Sequence, residues 1–311
     1  MSVVREAEGM DGLQGIFVPL VTPFAADGSV AWDALESLAR SVLDAGASGL
    51  VALGTTAEVA ALEPDERRGV IDLCARVCAV SGAALIVGVG GNDTRTSAGA
   101  VAELAAWSHV SAAMVPVPYY TRPSEAGVVA HFAQVAAASP VPVVAYHIPY
   151  RTGRTLGAES MRRIAALPGV VGVKYAVGAV DADAVDLLGD PPTDFAVLVG
   201  DDTFAGPMFA LGAQGGILAT AQLDPHGYIA LERAWRTGDF AFARSLGGRL
   251  ARLSAAAFAE PNPTVIKGVL HAQGLIPTPD VRLPLLPAAP DSVANALAVI
   301  AREGLGAPLA V

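Results

Sequence analysis

The sequence predicts an α/β fold, a (β/α)8 TIM barrel with a C-terminal helical extension, and three observations predict it. Eight short apolar runs rich in β-branched residues recur along the chain. Segments with a helical apolar period fill the gaps between them, the alternation expected of βα units around a parallel sheet. The strand signal then stops near Asp224 while the helical signal continues.

The expected strands are Gly15–Val21, Gly49–Leu53, Ala84–Val89, Ala112–Val117, Pro142–Ile148, Val170–Lys174, Ala196–Gly200 and Gly216–Thr220. Their starts fall mostly 25 to 35 residues apart. The intervening helices are read at Trp32–Ala45, Pro64–Val80, Thr96–Trp107, Glu125–Ala138, Ala158–Leu167, Asp181–Leu188 and Thr203–Leu211. Eight units favour closure over an open sheet, and barrels of this kind reach 311 residues as one unit. The barrel is placed over residues 13–223 and the extension over 224–303. In the extension, Pro225–Arg236, Phe240–Ala259, Pro263–Gln273 and Asp291–Arg302 read as helices. Gly238-Asp239, Pro261-Asn262-Pro263 and the Pro-rich Ile276–Pro290 separate them.

Composition narrows the partners. With 53% hydrophobic and 16% charged residues, the chain can build a large core. A formal charge of −10 argues against nucleic acid and anionic membranes, though not against a small anionic substrate at a local cationic site. Two segments, Ala126–Tyr150 and Thr203–Leu223, carry no Asp, Glu, Lys or Arg. Their prolines and glycines suit strands covered by helices better than a membrane span. No signal peptide is expected, since Arg5, Glu6, Glu8 and Asp11 interrupt the N-terminus. Cys74 and Cys78 read as reduced, packed thiols, because metal ligation needs more partners. A cytoplasmic location is expected. Val89-Gly90-Gly91-Asn92 lacks the spacing of a dinucleotide fingerprint and reads as a tight loop.

Lysine usage is the most informative statistic. Only Lys174 and Lys267 are lysines, so 18 of the 20 basic residues are Arg. Lys174 ends the apolar run Val170–Val173, where a barrel strand delivers its residue to the active-site face. Desolvation there lowers the amine's pKa and yields a nucleophile for carbonyl carbon. A buried lysine paired with a neighbouring carboxylate is the competing reading. Five of six tyrosines, Tyr119, Tyr120, Tyr146, Tyr150 and Tyr175, fall at or after strand ends. A phenol there can move the protons that imine chemistry requires; Tyr119 and Tyr120 also fit as loop or interface aromatics. Gly54-Thr55-Thr56-Ala57 after the second strand can cradle a carboxylate or simply cap a helix. Arg151 can grip a second carboxylate or lie at a surface.

These segments together resemble the dihydrodipicolinate synthase and N-acetylneuraminate lyase family over roughly residues 13 to 300. The matching stretches are Val21–Phe24, Gly54–Glu58, Pro118–Pro123, Tyr146–Gly153, Gly172–Lys174, Gly200–Asp202 and Glu260–Pro263. The resemblance implies a class I lyase in which Lys174 forms an imine with pyruvate and Tyr146 is the acid/base. It implies a proton relay through Thr55 and Tyr120, with Tyr120 reaching in from a neighbouring subunit of a dimer or tetramer. Thr55 and Thr56 would hold the pyruvate carboxylate, and Gly200 and Ile217 would give backbone contacts. Arg151 would bind the carboxylate of aspartate semialdehyde, which favours the synthase branch. The implied product is 4-hydroxy-tetrahydrodipicolinate, in lysine and diaminopimelate biosynthesis. No metal or organic cofactor is implied, because the imine is itself the electron sink.

The sequence departs from that pattern at Ala57, His147, Tyr150, Tyr175-Ala176-Val177 and Gln222. These changes are expected to surround the second-substrate pocket, which keeps open a related aldolase or dehydratase acting on a sugar acid or another 2-keto acid. A non-catalytic barrel is the alternative outside that chemistry; a flavin or nicotinamide enzyme is weakened by the absent fingerprint. Thr96, Pro64 and Arg67 stand where lysine-inhibited synthases carry their allosteric Glu and His residues, so strong lysine feedback is not expected.

Overall fold

A computed structural model of the protein describes residues 13–306. Eight parallel strands close in chain order: β1 (Gly15–Pro19), β2 (Gly49–Ala52), β3 (Ala84–Gly88), β4 (Ala112–Pro116), β5 (Val143–His147), β6 (Val170–Tyr175), β7 (Ala196–Val199) and β8 (Gly215–Ile217). The last pairs with the first, Gly15 opposite Gly215. Closure leaves no room for a side chain at that point. A Cβ on Gly215 would lie 2.2 Å from the Gly15 carbonyl oxygen, so glycine lets the first and last strands meet.

Around the barrel run α1 (Trp32–Asp44), α2 (Pro64–Ser81), α3 (Thr94–Ala102), α4 (Glu125–Ala138), α5 (Pro149–Thr152), α6 (Ala158–Ala165), α7 (Ala182–Gly189) and α8 (Ala205–Ala210). Then follow α9 (Pro225–Thr237), α10 (Phe240–Ala257), α11 (Thr264–Ala272) and α12 (Pro290–Glu303). Helix starts follow local chemistry. Glu63 and Glu66 form a reciprocal capping box at α2, and Ser124, Asp181 and Asp224 each accept a backbone N–H at α4, α7 and α9.

Strand alternation makes two cores. Phe17, Val51, Ile86, Met114, Val144, Leu198 and Ile217 fill the barrel interior. Their neighbours Ile16, Val18, Leu50, Leu85 and Val143 point out against the helices. Each fully buried Leu or Ile here contributes about 1.5–3 kcal/mol of transfer free energy. That two-sided burial explains the near-continuous apolar strands. Cys74 and Cys78 are free and buried, in the outer core. Among the described residues no helix is long and apolar enough to cross a membrane.

Three expected elements differ. The helix expected over Thr96–Trp107 ends at Ala102, and Glu103–Ala106 form a 3-10 turn. The eighth strand was expected to run to Thr220 but ends at Ile217, and Ala219–Gln222 form a 3-10 turn. Thr220 donates its N–H to the Asp202 carboxylate, 2.6 Å away, rather than to a strand. The helix expected over Thr203–Leu211 begins as a 3-10 turn at Asp202–Phe204 before α8, with the Asp202 side chain committed to Thr220.

Candidate active site

The C-terminal ends of the strands surround a cavity of about 460 Å³. Lys174 enters it from β6, directly opposite Tyr146 of β5 in the sheet register. Two residues in register on adjacent strands share a face, so both side chains point inward. The Lys174 Nζ sits 4.5 Å from the centroid of the Tyr146 ring. Gly200, after β7, makes space for the lysine stem: a Cβ there would approach Lys174 Cγ to 2.8 Å and Cε to 3.0 Å.

Lys174 is only 7% exposed. Burial brings its ammonium down to about 8, opposed by the negative charges of Asp202 and Asp201. Among the described residues it forms no ion pair, because both acids are held elsewhere. Asp202 accepts from the Thr220 hydroxyl and N–H, and burial pushes it up to about 6 against those bonds. Asp201 accepts from the Gly178 N–H at 2.5 Å and is also raised by burial. Thr220 continues inward to Tyr228 (2.6 Å), whose hydroxyl meets Ser254 at 2.6 Å. Tyr146 is raised by burial and by Tyr150, while the Thr55 hydroxyl pulls it the other way.

Thr55 and Thr56 open the 3-10 turn that follows β2 and Gly54. Thr56 Oγ1 accepts a hydrogen bond from Asn262 Nδ2 at 3.0 Å. Asn262 belongs to the Phe258–Asn262 stretch of the extension, which lines the cavity opposite the strand ends. Arg151 lies on the single turn α5, started by Pro149 and ended by Gly153 at φ 69°, and its guanidinium carbon is 5.8 Å from the Tyr150 ring centroid. Ile217 closes the floor.

The cavity therefore gathers Lys174, Tyr146, Thr55, Thr56, Arg151, Gly200 and Ile217. Tyr120 is not among its lining residues; it is 87% exposed in the loop after β4, with φ 69°. Sequence reasoning gave no role to Asp201, Asp202 or Asn262. Adjacent acids just past a barrel strand were the available signal for the first two. Asn262 had none, since its partner Thr56 lies 206 residues away.

The expectation that the departing residues surround the second-substrate pocket is corrected. Of them, Tyr150 alone lines the cavity. His147 and Tyr175 follow Tyr146 and Lys174 in their strands, so alternation turns them to the outer face. There Tyr175 donates to Asp181 at 2.8 Å, and burial holds the His147 imidazole down to about 4. Gln222 is fully buried; it accepts from the Val21 N–H and donates to the Pro19 carbonyl, both at 2.9 Å, tying β1 to the β8 turn. Ala57 turns its carbonyl to the Thr22 hydroxyl at 2.9 Å.

Chemically, the cavity offers a desolvated amine, a phenol beside it, a hydroxyl pair and a guanidinium at its mouth. Among the described residues no cluster of three or more His, Cys, Asp or Glu is placed to hold a metal ion. A family model described as the dihydrodipicolinate synthetase family matches residues 12–302. The chain is 36% identical to 4-hydroxy-tetrahydrodipicolinate synthase of Neisseria gonorrhoeae, over 94% of this chain and 99% of that one. It is 37% identical to the enzyme of the same name from Pseudomonas aeruginosa, over 88% and 92%. Among solved structures, dihydrodipicolinate synthase from Acinetobacter baumannii, described as chloride inhibited and complexed with pyruvate, is similar with a TM-score of 0.89 and 33% identity. That match covers 94% of this chain and 99% of the other.

Proposed function

The chain belongs to the dihydrodipicolinate synthetase family and is a lyase of that family, and from that premise we propose that it condenses pyruvate with aspartate semialdehyde through an imine on Lys174. The observation that carries the reading is a buried lysine with no ion pair among the described residues, facing a buried phenol across 4.5 Å.

The neutral Lys174 amine adds to the keto carbon of pyruvate, and the resulting carbinolamine loses water to give the imine. Tyr146, with Thr55 beside it, passes the protons of these steps. Thr55 and Thr56 hold the pyruvate carboxylate through hydroxyl and backbone donors. A proton leaves the pyruvate methyl group, and the enamine carbon attacks the aldehyde. Arg151 grips the carboxylate of that second substrate. The amine of the aldehyde substrate then displaces Lys174 from the imine carbon, closing the ring and freeing the enzyme as 4-hydroxy-tetrahydrodipicolinate leaves. This is the chemistry of lysine and diaminopimelate biosynthesis.

Tyr120 completes the relay from a neighbouring copy in a homo-oligomer, a dimer or tetramer; its exposure in the single chain supports that assignment. Tyr150, the departing residue that lines the cavity, favours a second reading in which the acceptor is another aldehyde or 2-keto acid.

Borohydride added with pyruvate should fix a reduced pyruvyl adduct on Lys174, located by peptide mass spectrometry. Labelling elsewhere, or none, defeats the imine. A coupled assay comparing aspartate semialdehyde with a panel of aldehydes and keto acids then decides the acceptor.

A further inference from the structure

The second lysine is spent outside the cavity. Lys267, on α11, is 0% exposed, and its Nζ lies 2.8 Å from Glu58 Oε1 and 4.0 Å from the Phe24 ring centroid. Glu58 is as deeply buried, with 1% of its side chain exposed. Its other oxygen accepts the Arg282 backbone N–H at 2.8 Å. Both partners of the carboxylate thus come from the extension.

Glu58 also ends the turn that begins with Thr55 and Thr56. Its φ of 54° is left-handed, a conformation that costs an L-residue with a side chain roughly 1–2 kcal/mol. Such a conformation persists only where its surroundings over-determine it, and it concentrates beside ligand sites. The same turn is held twice more: Asn262 donates to Thr56, and Thr22 donates to the Ala57 carbonyl. A buried ion pair is a poor way to gain stability, since apolar residues of similar shape commonly do as well. What it supplies here is a fixed position for the turn.

We propose that Glu58 and Lys267 are a positioning pair that sets Thr55 and Thr56 for the substrate carboxylate, making the C-terminal extension part of the keto-acid site. The inference rests on the reading of Lys174 and the two threonines given above. Neither residue lines the cavity, so the pair acts through the turn alone.

The test is borohydride labelling of Lys174 over a series of pyruvate concentrations, read by intact mass spectrometry, with thermal melts in parallel. Wild type is compared with Glu58→Gln, Lys267→Met and Glu58→Gln/Lys267→Met. A displaced turn should raise the half-saturating pyruvate concentration roughly ten- to hundredfold, the scale of catalytic loss that about 1 Å of misplacement causes. Maximal labelling at saturating pyruvate should still be reached. The double variant, which buries no unpaired charge, should recover melting temperature while its half-saturating concentration stays high; it decides the matter alone if the single variants do not fold. Wild-type half-saturation in any folded variant, or its return together with the melting temperature in the double, overturns the proposal. Absence of label on the wild-type chain instead defeats the Lys174 reading.

Discussion

Lys174 and Lys267 are both buried, both beside an aromatic ring, and their ammonium groups are both lowered by burial. They differ in where the neighbouring carboxylates direct their lone pairs. Glu58 gives one oxygen to Lys267 and so offsets the cost of burying that charge. Asp202 and Asp201 lie near Lys174 but are bound to Thr220 and Gly178, and act on the amine only through space. Burial is common to both lysines; on the reading proposed above, it is the missing committed counter-ion that leaves the Lys174 amine available to react.

The largest effects should come from replacing each lysine by methionine, and they should differ in kind. Lys174→Met is expected to lower turnover at least about 10³-fold, the scale of losing a nucleophile. It should also raise the melting temperature, because a desolvated ammonium is removed and nothing is left unpaired. Lys267→Met is expected to lower stability by about 3–5 kcal/mol, since Glu58 would remain buried and unpaired. Urea melts of the two variants measure the contrast. Shifts of the same sign would break it.

The same contrast marks how far the sequence could be read. Lys174 was legible because it ends an apolar strand in an arginine-using chain, and barrel geometry sends such a residue to the site. The strand positions followed from periodicity, and so did most helices, while closure was favoured only by the number of units. Lys267 was not legible as half of a pair. It sits in an ordinary helical stretch, and Glu58 lies 209 residues earlier. Asn262 was hidden in the same way. The facing of His147 and Tyr175 was legible in principle, since a period of two places each opposite its neighbour in the cavity; resemblance to a motif obscured that simple rule. The early end of β8 was not, because it depends on a hydrogen bond that the Thr220 N–H donates to the Asp202 carboxylate, 18 residues earlier.

A smaller effect tests how tightly Lys174 is aimed. Gly200→Ala would place a methyl group 2.8 Å from the lysine Cγ, closer than van der Waals contact allows. The stem must move, and the amine with it. Adduct formation should slow roughly ten- to hundredfold, while Lys267, far from this contact in the fold, keeps its bond to Glu58. The rate of borohydride trapping measures the first claim. A trapping rate equal to wild type would mean that the stem has slack, and that the close fit at Gly200 is packing alone.

The smallest expected effect lies in pH dependence. With the Lys174 ammonium near 8, lowering the pH protonates the amine and removes the nucleophile. At fixed pyruvate the trapping rate should level off above pH 8 and fall about tenfold per unit below it. The charge of Asp202 sustains the ammonium, so its loss must favour the neutral amine: Asp202→Asn should move the midpoint downward. Protonation of Asp202 itself, near 6, should have the same direction and flatten the acid limb in the wild-type chain. A midpoint unchanged in Asp202→Asn would mean that its charge is not felt at Nζ. Lys174 would then differ from Lys267 by isolation alone, rather than by a carboxylate nearby whose bonds are made to other groups.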